Sequence, residues 1–521
     1  MKRLILFPFI FLSLSAIAQN VGSIQNFVKI SDANGNLSDY DKFHEVKRIG
    51  DMNGDGVSDI AVGVPFDDDG GTDKGAVFIL NMNADGTIQG GHKISDLSGN
   101  FTYPLNNGAL FGYSLGTLGD LDGDGIPDLV VGSWTDDEGA YNEGAIWILF
   151  LYANGSVKSY QKINSVQGNF TGYLGGNSHF GISIDLMNDF NNDGYIEIAV
   201  GSSALSDGGL YRGAVWILSL TNTGMVHSYS KISSTSGGFT GIINDNDRFG
   251  RGVANIGDLD GDGVNDLAVG AIYDCQSAYQ AGAVWILFLN SNGTVKSHTK
   301  ICNNSSNFPA YLNAYDFLGC VVSSGVDITG DGKYELAVSS HSNDFTGYNR
   351  GGVWILSLNT DGTVNSCSLL CSGTTGFTGQ LDDEDAFGSG LSFVPETSFS
   401  QRYNLSVGAS CDDDGGTDRG AIYNIRIGPE FLGTQKIEKE VSFSAFPNPV
   451  SDRLNIMLSC QPGNEILVHI NDITGRTVYQ TSLPFPPARK FQLQLPEFSK
   501  GVYVLDISVD GTSCGEMKLV K

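Results

Sequence analysis

FGRGVANIGDLDGDGVNDLAVG, residues 249–270, contains the pattern from which the fold of this chain can be inferred. An aromatic–glycine pair precedes a short run of alternating residues, an acidic glycine-rich loop follows, and a second apolar run ends the stretch. The same order of features occurs at residues 111–132 and 180–201, displaced by 69 residues at each step. Aromatic residues keep that step at Phe78, Trp147, Trp216, Trp285, Trp354 and Tyr423. A fixed period of this length indicates a repeat architecture.

Each repeat has the pattern of four short β-strands. In the fourth repeat the candidate strands are Phe249–Ile256, Leu267–Val269, Ala283–Leu289 and Thr294–Ile301. The third is a continuous apolar run typical of a strand buried on both faces, and Asn292-Gly293 predicts a hairpin turn into the fourth. We therefore predict an all-β chain: a β-propeller of six four-stranded blades, with seven as the alternative count, followed by a small β-sandwich. A β-helix or an open β-array is the alternative architecture.

The repeat frame defines the predicted domains. We place the propeller at residues 19–438, with repeats at about 41–95, 111–163, 180–232, 249–301, 317–370 and 387–437. Phe27–Ile30 and Gln435–Ile437 each resemble a fourth strand, and we expect one of them to complete the last blade. The sixth repeat lacks the acidic loop but keeps the frame.

The two ends of the chain differ from the repeats. Residues 1–18 have a basic start, an apolar run and a small-x-small site, which predicts an export signal. A buried N-terminal helix is the alternative. No other stretch approaches the ~18 apolar residues of a membrane span. Residues 439–521 hold 7 of the 14 prolines but 5 of the 69 glycines, so we predict a separate β-sandwich there, with strands at Leu454–Leu458, Ile466–Ile470, Phe491–Leu495 and Val502–Ile507.

Charge and composition exclude several classes of function. The 521 residues include 30 Lys+Arg and 58 Asp+Glu, for a formal net charge of −28. This balance argues against nucleic acid or an anionic membrane as the partner. An apolar content of 41% is too high for a disordered acidic chain, and eight cysteines are too few to define the fold.

The acidic loops have the spacing of a calcium site. Acidic or polar residues stand at positions 1, 3, 5 and 9, glycine stands at 6, and the carbonyl at 7 is a further candidate ligand. The candidate ligands are Asp51, Asn53, Asp55, Val57 and Asp59; Asp120, Asp122, Asp124, Ile126 and Asp128; Asp189, Asn191, Asp193, Tyr195 and Glu197; Asp258, Asp260, Asp262, Val264 and Asp266; and Asp327, Thr329, Asp331, Lys333 and Glu335. We expect about five structural calcium ions. Solvated acidic turns without metal are the alternative interpretation.

The repeats resemble the FG-GAP repeat of the integrin α-subunit β-propeller. Phe111-Gly112 precedes an acidic loop and Gly144-Ala145-Ile146 follows it, and the third and fourth repeats match equally well. The resemblance covers residues 27–438. It implies that each calcium loop joins the first and second strands on a lower face, and that ligands bind the opposite face. The chain departs from this pattern in three ways: it has six repeats rather than seven, Leu318 replaces a phenylalanine, and Phe43 lacks its glycine.

The tail is similar to the type A C-terminal sorting domain of type IX secretion substrates. Phe446–Pro449 matches the opening motif, Asp472–Val478 the middle and Lys500–Leu505 a late strand. The resemblance implies that residues 439–521 engage the type IX secretion machinery and that the protein is secreted or attached to the outer cell surface. Cys460 and Cys514 lie in this tail, where a disulfide and two free thiols are both open alternatives.

The loops on the face opposite the calcium sites hold the remaining candidates. Tyr141, Tyr279 and Tyr348 are in phase and are candidate ligand contacts. Asp412-Asp413-Asp414 in the same loops is a carboxylate cluster of the kind that glycosidases use, but no catalytic motif occurs. We expect a non-catalytic adhesion or ligand-binding protein whose partner is an extracellular protein or glycan. The alternatives are an extracellular polymer-degrading enzyme and a passive structural component of the surface or matrix.

Overall fold

The computed structural model describes residues 24–31, 37–274, 278–303, 305–308, 312–328, 330–374, 377–393, 405–427, 443–446, 453–458, 464–472, 476–486, 490–496, 499, 501–509 and 512–520. The regular elements among them are all β-strands. The chain divides between residues 434 and 435 into two compact units. The predicted export signal, the candidate strand Gln435–Ile437 and Cys460 lie outside the described residues.

The first unit contains six four-stranded antiparallel sheets, which are the blades of the propeller. Blades 1 to 3 are β2 (Val46–Gly50), β3 (Asp59–Val64), β4 (Ala76–Met82) and β5 (Ile88–Ile94); β6 (Ser114–Gly119), β7 (Asp128–Ser133), β8 (Ala145–Leu151) and β9 (Val157–Ile163); and β10 (Phe180–Asn188), β11 (Ile196–Ser202), β12 (Ala214–Leu220) and β13 (Val226–Ser233). Blades 4 and 5 are β14 (Phe249–Gly257), β15 (Asp266–Ala271), β16 (Ala283–Leu289) and β17 (Val295–Ile301); and β18 (Val322–Val326), β19 (Glu335–Ser340), β20 (Gly352–Leu358) and β21 (Val364–Leu370). Blade 6 is β22 (Phe387–Phe393), β23 (Leu405–Ala409), β24 (Ala421–Ile427) and, from the start of the chain, β1 (Ile24–Ser31).

The blade count of six is thereby confirmed for the described residues, and β1 closes the ring. It pairs antiparallel with β24, with Phe27 opposite Ile425 and Lys29 opposite Tyr423. Of the two candidate closing strands, the structure shows the N-terminal one in this place. The last blade is therefore built from both ends of the propeller sequence.

Burial follows the order of strands within a blade. Every residue of the third strand β16 is buried, as the uninterrupted apolar run predicts, and so is every residue of the second strand β15. The outer strand β17 has exposed and half-buried residues along most of its length. The middle strands are thus covered on both faces by neighbouring blades, which explains why their sequences do not alternate.

Neighbouring blades meet through a backbone contact between a glycine and a phenylalanine. Gly144, just before β8, forms a parallel bridge with Phe180 of the next blade, and a Cβ at Gly144 would lie 2.1 Å from the Phe180 carbonyl oxygen. Gly144 also has φ +90°, which disfavours any other residue there. The same bridge joins Gly75 to Phe111, Gly213 to Phe249, Gly282 to Leu318 and Gly351 to Phe387. Leu318 therefore fills the phenylalanine position of its repeat.

The contact between blade 6 and blade 1 is of the same kind, although the aromatic–glycine pair is absent there. The backbone N–H of Phe43 donates to the Arg419 carbonyl (2.8 Å), as that of Phe111 donates to the Lys74 carbonyl (3.0 Å). A Cβ at Gly420 would lie 2.7 Å from the Phe43 nitrogen. Phe43 thus occupies the equivalent place although His44 follows it.

The in-phase aromatic residues pack between blades. Phe101 stacks on Phe111 at 5.0 Å between ring centroids and meets Trp147 edge-on at 5.3 Å. Phe170 repeats this arrangement with Phe180 and Trp216. All of these side chains are buried, so they belong to the core and offer no surface to a ligand.

A buried lysine–aspartate pair recurs above these aromatic rings. Lys162 Nζ lies 2.8 Å from Asp136 Oδ2 and 5.0 Å from the centre of the Trp147 ring, and both charged side chains are almost fully buried. Equivalent pairs are Lys93 with Asp67, Lys300 with Asp274, and Lys29 with Asp412. Blade 5 has Leu369 and Asn343 at these positions, so both charges are absent together.

The second unit is a pair of β-sheets. One contains β25 (Phe443–Phe446), β26 (Arg453–Leu458) and β29 (Lys490–Gln494); the other contains β27 (Glu465–Asp472), β28 (Thr477–Pro484), β30 (Val502–Val509) and β31 (Thr512–Val520). Leu454, Ile466 and Leu505, among others, form one buried core shared by both sheets. The four predicted strands are present, and β25, β28 and β31 are additional.

The lysine–aspartate pair yields a test of blade packing. We expect Lys162→Leu to destabilise the protein by about 3 kcal/mol, because Asp136 would keep a buried charge without its counter-ion. Adding Asp136→Asn, which reproduces the residues of blade 5, should recover about half of that loss. Denaturant unfolding measures both changes. As a control, Lys333→Ala removes an exposed pair with Asp331 and should cost less than about 1 kcal/mol. A double variant that is no more stable than Lys162→Leu would contradict this explanation.

Candidate calcium loops and ligand-binding face

The five acidic loops occupy the same place in five successive blades. Each joins the first strand to the second, as between Gly50 at the end of β2 and Asp59 at the start of β3. We call this end of the propeller the lower face. The loops between second and third strands, and those between blades, form the upper face.

The fourth loop shows how the sequence folds around one point. Asp258 Oδ1 accepts backbone hydrogen bonds from Gly261 (2.8 Å) and Asp262 (2.9 Å), and its Oδ2 accepts one from Gly263 (2.8 Å). Gly261 and Gly263 have φ of +81° and +90°, with nothing near a would-be Cβ, so glycine is needed for the backbone turn rather than for space. Sequence reasoning identified the glycine at position 6 but missed the left-handed residue at position 4.

The residues at position 7 donate to position 5 through their backbone. The backbone N–H groups of Val57, Ile126, Tyr195, Val264 and Lys333 each donate to the aspartate two residues earlier, at 2.9 to 3.0 Å. This bond holds the carboxylate of position 5 at the loop centre. Thr329, the candidate ligand at position 3 of the fifth loop, lies outside the described residues.

The carboxylate at position 9 anchors the loop to the sheet. Asp128 accepts backbone hydrogen bonds from Leu121 in the loop (3.0 Å) and from Leu151 in the third strand (3.2 Å). Burial raises the pKa of Asp128 to about 6, and the pKa of Glu197 and Asp266 to about 7. These groups are carboxylates that lack a full counter-charge in their surroundings.

Three of the loops bring three carboxylates together. The groups are Asp120, Asp122 and Asp128; Asp258, Asp260 and Asp262; and Asp327, Asp331 and Glu335, each with oxygens within 4.8 Å of one another. Asn53 and Asn191 replace a carboxylate in the first and third loops. Buried oxygens without a hydrogen-bond partner include Glu197 Oε2 and Asp260 Oδ1. The donor set is therefore all oxygen, partly unsatisfied and negatively charged, which fits a hard divalent cation.

Two lysines that sequence reasoning missed lie against these loops. Lys158 Nζ is 2.6 Å from both Asp122 Oδ2 and Asp124 Oδ2. Lys296 makes the equivalent contacts with Asp260 and Asp262. Each lysine follows its loop at the same distance in sequence, and the two lysines are two repeat periods apart. This regular spacing could have identified them from the sequence.

The upper face presents aromatic side chains on a fixed backbone. Tyr141, Tyr279 and Tyr348 are 67%, 66% and 58% exposed. Their carbonyls accept backbone hydrogen bonds from the loop before the next blade, with donors Asn177 (2.7 Å), Tyr315 (3.1 Å) and Glu384 (2.8 Å). The side chains therefore point to solvent while the backbone is held at both loops. Exposed Leu210 stands at the same position of blade 3, and Tyr40 and Tyr315 are exposed nearby.

Three consecutive carboxylates in these loops, Asp412, Asp413 and Asp414, make contacts that stabilise the fold. Asp412 is 2% exposed, forms an ion pair with Lys29 (2.6 Å) and accepts a hydrogen bond from the Tyr423 hydroxyl (3.1 Å). Asp413 accepts the backbone N–H of Asp418 (2.7 Å), and Asp414 also contacts Lys29. Sequence reasoning grouped these carboxylates as candidates for acid–base work, but the structure engages each of them in an ion pair or a turn.

Family models match both parts of the chain. The FG-GAP repeat matches residues 49–80, 111–149 and 249–287, and the secretion system C-terminal sorting domain matches residues 444–521. The chain thus contains integrin-like FG-GAP repeats and a type IX sorting domain, as the two sequence resemblances indicated. The sorting domain indicates that the protein is exported and then secreted or attached to the outer cell surface. Within the described residues, no helix has the length and hydrophobicity needed to cross a membrane.

Curated relatives are integrin α-subunits. Integrin alpha-PS2 of Drosophila melanogaster is 30% identical over 261 residues, or 49% of this chain and 16% of that protein. Integrin alpha-5 of Xenopus laevis is 30% identical over 247 residues, or 46% of this chain and 21% of that protein. The chain therefore spans less than a quarter of the length of these relatives.

Similarity to solved structures is weak. A glycoside hydrolase family 43 arabinoxylan arabinofuranohydrolase from Bacillus subtilis is 12% identical, with 93% of this chain and 96% of that one covered and a TM-score of 0.35. An immunoglobulin-like β-sandwich protein from Bacteroides vulgatus covers 15% of this chain and 83% of its own at 18% identity, with a TM-score of 0.13. Neither TM-score supports an argument about fold or activity.

The lysines beside the acidic loops give a test of the loops as cation sites. We expect the double variant Lys158→Met and Lys296→Met to bind Ca²⁺ several-fold more tightly at the second and fourth loops, because a competing ammonium group is removed. Isothermal titration calorimetry measures the change. Lys74→Met, which removes an ion pair with Asp96 on the upper face, is the control and should leave Ca²⁺ affinity unchanged. Weaker binding in the double variant would show that these lysines support the loops rather than compete with a cation.

Proposed function

We propose that this protein is an exported, calcium-stabilised β-propeller that binds an extracellular protein or glycan through its upper face and does not catalyse a reaction. The observation that supports this most directly is the set of exposed aromatic side chains on the hydrogen-bonded loops of one face. The sorting domain at residues 439–521 would engage the secretion machinery. The integrin-like repeats are consistent with adhesion.

Calcium would serve as a structural staple at the lower face. Each acidic loop supplies oxygen ligands at one point, and its position 9 is anchored to the second and third strands. Five Ca²⁺ ions would bring the formal charge from −28 to −18, which relieves self-repulsion. Magnesium is a poorer fit because it retains several waters and rarely takes an all-protein cage.

The distribution of exposed apolar residues supports the upper face as the binding surface. Most of the large exposed apolar side chains lie in its loops: Tyr40, Tyr141, Tyr173, Leu210, Ile242, Tyr279, Tyr315, Phe345 and Tyr348. The lower face has Tyr152 and Tyr334. Aromatic residues that combine an apolar ring with a hydroxyl are enriched where proteins recognise ligands.

The absence of catalysis is inferred from how the acidic groups are used. A glycosidase needs two carboxyl groups placed on either side of one bond, with different pKa values. In the described residues of the upper loops, the clustered aspartates form the same lysine ion pair in blades 1, 2, 4 and 6. Repeated, satisfied carboxylates suit a stable binding platform better than an active site.

A binding array with matched tyrosine variants tests the proposal. The full chain, loaded with Ca²⁺, is applied to glycans and matrix proteins, with an EDTA-treated sample alongside. We expect calcium-dependent binding that falls at least about tenfold in the triple variant Tyr141→Ala, Tyr279→Ala and Tyr348→Ala. The control variant Tyr152→Ala and Tyr334→Ala removes two exposed lower-face tyrosines and should bind as the natural protein does. Equal losses in both variants, or no binding to any ligand, would contradict the proposal.

A further inference from the structure

At the propeller axis, equivalent positions of the 69-residue repeat hold chemically different residues in different blades. One position at the start of the first strand, counted in steps of 69, is occupied by His44, Tyr113, Ile182, Arg251, Cys320 and Ser389. Lower-face loops and interblade contacts use similar residues in successive blades, whereas this position uses six different ones. The variation places unlike polar groups around one point on the axis.

A small cavity lies on this axis. It is lined by first-strand residues of five blades, including Glu45, Ser114, Ile182, Arg251 and Cys320. Three side-chain atoms at or beside this repeat position have no hydrogen-bond partner: His44 Nδ1, Glu45 Oε1 and Ser389 Oγ. Of these residues, Glu45 lines the cavity. Because first strands run from the upper to the lower face, their first residues surround the upper mouth of this cavity.

Arg251 holds a positive charge at this mouth. One of its terminal nitrogens donates to the Tyr113 hydroxyl (2.9 Å) and the other to the Cys320 carbonyl (3.2 Å), while the guanidinium lies 5.6 Å from the centre of the Tyr113 ring. Arg248, three residues earlier, lies 4.5 Å from the centre of the Tyr211 ring. Neither arginine has a carboxylate within 4.0 Å among the residues that the structure describes.

Most described basic side chains of the propeller have a carboxylate counter-ion. Arg48 in blade 1 is a further exception, and its guanidinium donates to the Ser58 carbonyl (3.2 Å) instead. Every described lysine of the propeller forms an ion pair with an aspartate: Lys29, Lys42, Lys47, Lys74, Lys93, Lys158, Lys162, Lys231, Lys296, Lys300 and Lys333. Arg212 and Arg350 on the upper face pair with Asp245 and Asp383. In a chain of net charge −28, two neighbouring arginines without such partners form a distinct positive spot.

Two titratable groups that line the cavity with Arg251 offset its charge only in part. Burial opposes ionisation of the Cys320 thiol, but the charge of Arg251 lowers the pKa of that thiol to about 7. Burial raises the pKa of Glu45, a carboxyl that lines the same cavity, to about 8, which favours its neutral form near neutral pH. Burial together with the charges of Arg248 and Arg251 lowers the pKa of His179 to about 3. The positive charges of both guanidinium groups therefore reach the same region, around His179.

We propose that the upper mouth of the axial cavity binds one carboxylate of an acidic glycan, with Arg251 and Arg248 as its counter-ions. This inference rests on the proposed function of the upper face and names the chemistry of its ligand. Arginine donors suit carboxylate recognition, and a charge-assisted hydrogen bond in a partly buried site is stronger than one in water. The exposed tyrosines around the mouth suit the attached sugars.

An isolated acidic sugar fits better than a dense polyanion. The chain as a whole repels negative charge, but at physiological salt that repulsion is screened beyond about 8 Å. A glycan with a single uronate can place its carboxylate at the arginines while its neutral sugars contact the loops. An acidic protein ligand is the competing outcome.

The test compares matched ligands on the full chain loaded with Ca²⁺. The probes are an oligosaccharide ending in glucuronic acid, its methyl ester, and a peptide with a single glutamate. We expect the acid to bind at least about tenfold more tightly than the ester. The double variant Arg248→Gln and Arg251→Gln should lose that preference, while Arg251→Lys, which keeps the charge, should retain part of it. Arg212→Gln with Arg350→Gln removes two paired arginines of the same face and should leave the preference unchanged.

Three outcomes would overturn the proposal: equal binding of acid and ester, an unchanged preference in the Arg248/Arg251 variant, or arginine-dependent binding of the peptide with none of the oligosaccharide. Circular dichroism and thermal unfolding establish that each variant is folded. If Arg251→Gln does not fold, Arg248→Gln alone is used, since its side chain lies outside the axial hydrogen bonds. Ligand binding in the array without any acid preference would refute the axial site and leave the proposed function standing, whereas no binding in the array would refute the proposed function itself.

Discussion

The ring depends on the close backbone contact between a glycine that precedes each third strand and the aromatic residue that starts the next blade. A side chain at Gly144 would collide with the Phe180 carbonyl, so the two blades approach as closely as backbones allow. This contact fixes the position of every first strand relative to its neighbour. It also explains why the aromatic–glycine pair and the later glycine occur together in the sequence: they form the two sides of one joint.

The residues that stabilise the propeller are similar in successive blades, whereas the residues at the axis, where we propose that a ligand binds, differ from blade to blade. The interblade joints, the buried lysine–aspartate pairs and the acidic loops use similar residues in successive blades, because each blade has the same structural requirements. Arg251 and Cys320 have no such requirement, since residues at the axis face a cavity instead of a neighbouring blade. The axis is thus the position at which a six-fold scaffold can present an asymmetric site.

Much of the fold was predictable because periodicity and apolar runs are local signals. Ala283–Leu289 has the predicted bounds, and the six blades follow from the 69-residue step. The choice of closing strand was not predictable, since Phe27–Ile30 and Gln435–Ile437 share the same sequence pattern. Only the pairing of β1 with β24 shows which end of the propeller sequence completes the last blade. The pair of Lys29 with Asp412 joins residues that are distant in sequence, and no local pattern specifies it. In the tail, β28 alternates between exposed and half-buried residues and gave too weak an apolar signal to be predicted.

The number of Ca²⁺ ions bound per chain is the decisive quantity for this protein, because each of the five acidic loops is proposed to hold one ion. Equilibrium dialysis against radioactive calcium, combined with thermal unfolding in calcium and in EDTA, measures both occupancy and its structural effect. We expect five saturable sites and a lower unfolding temperature in EDTA. Absence of saturable binding, with the same unfolding temperature in both solutions, would contradict this expectation and leave the loops as solvated acidic turns.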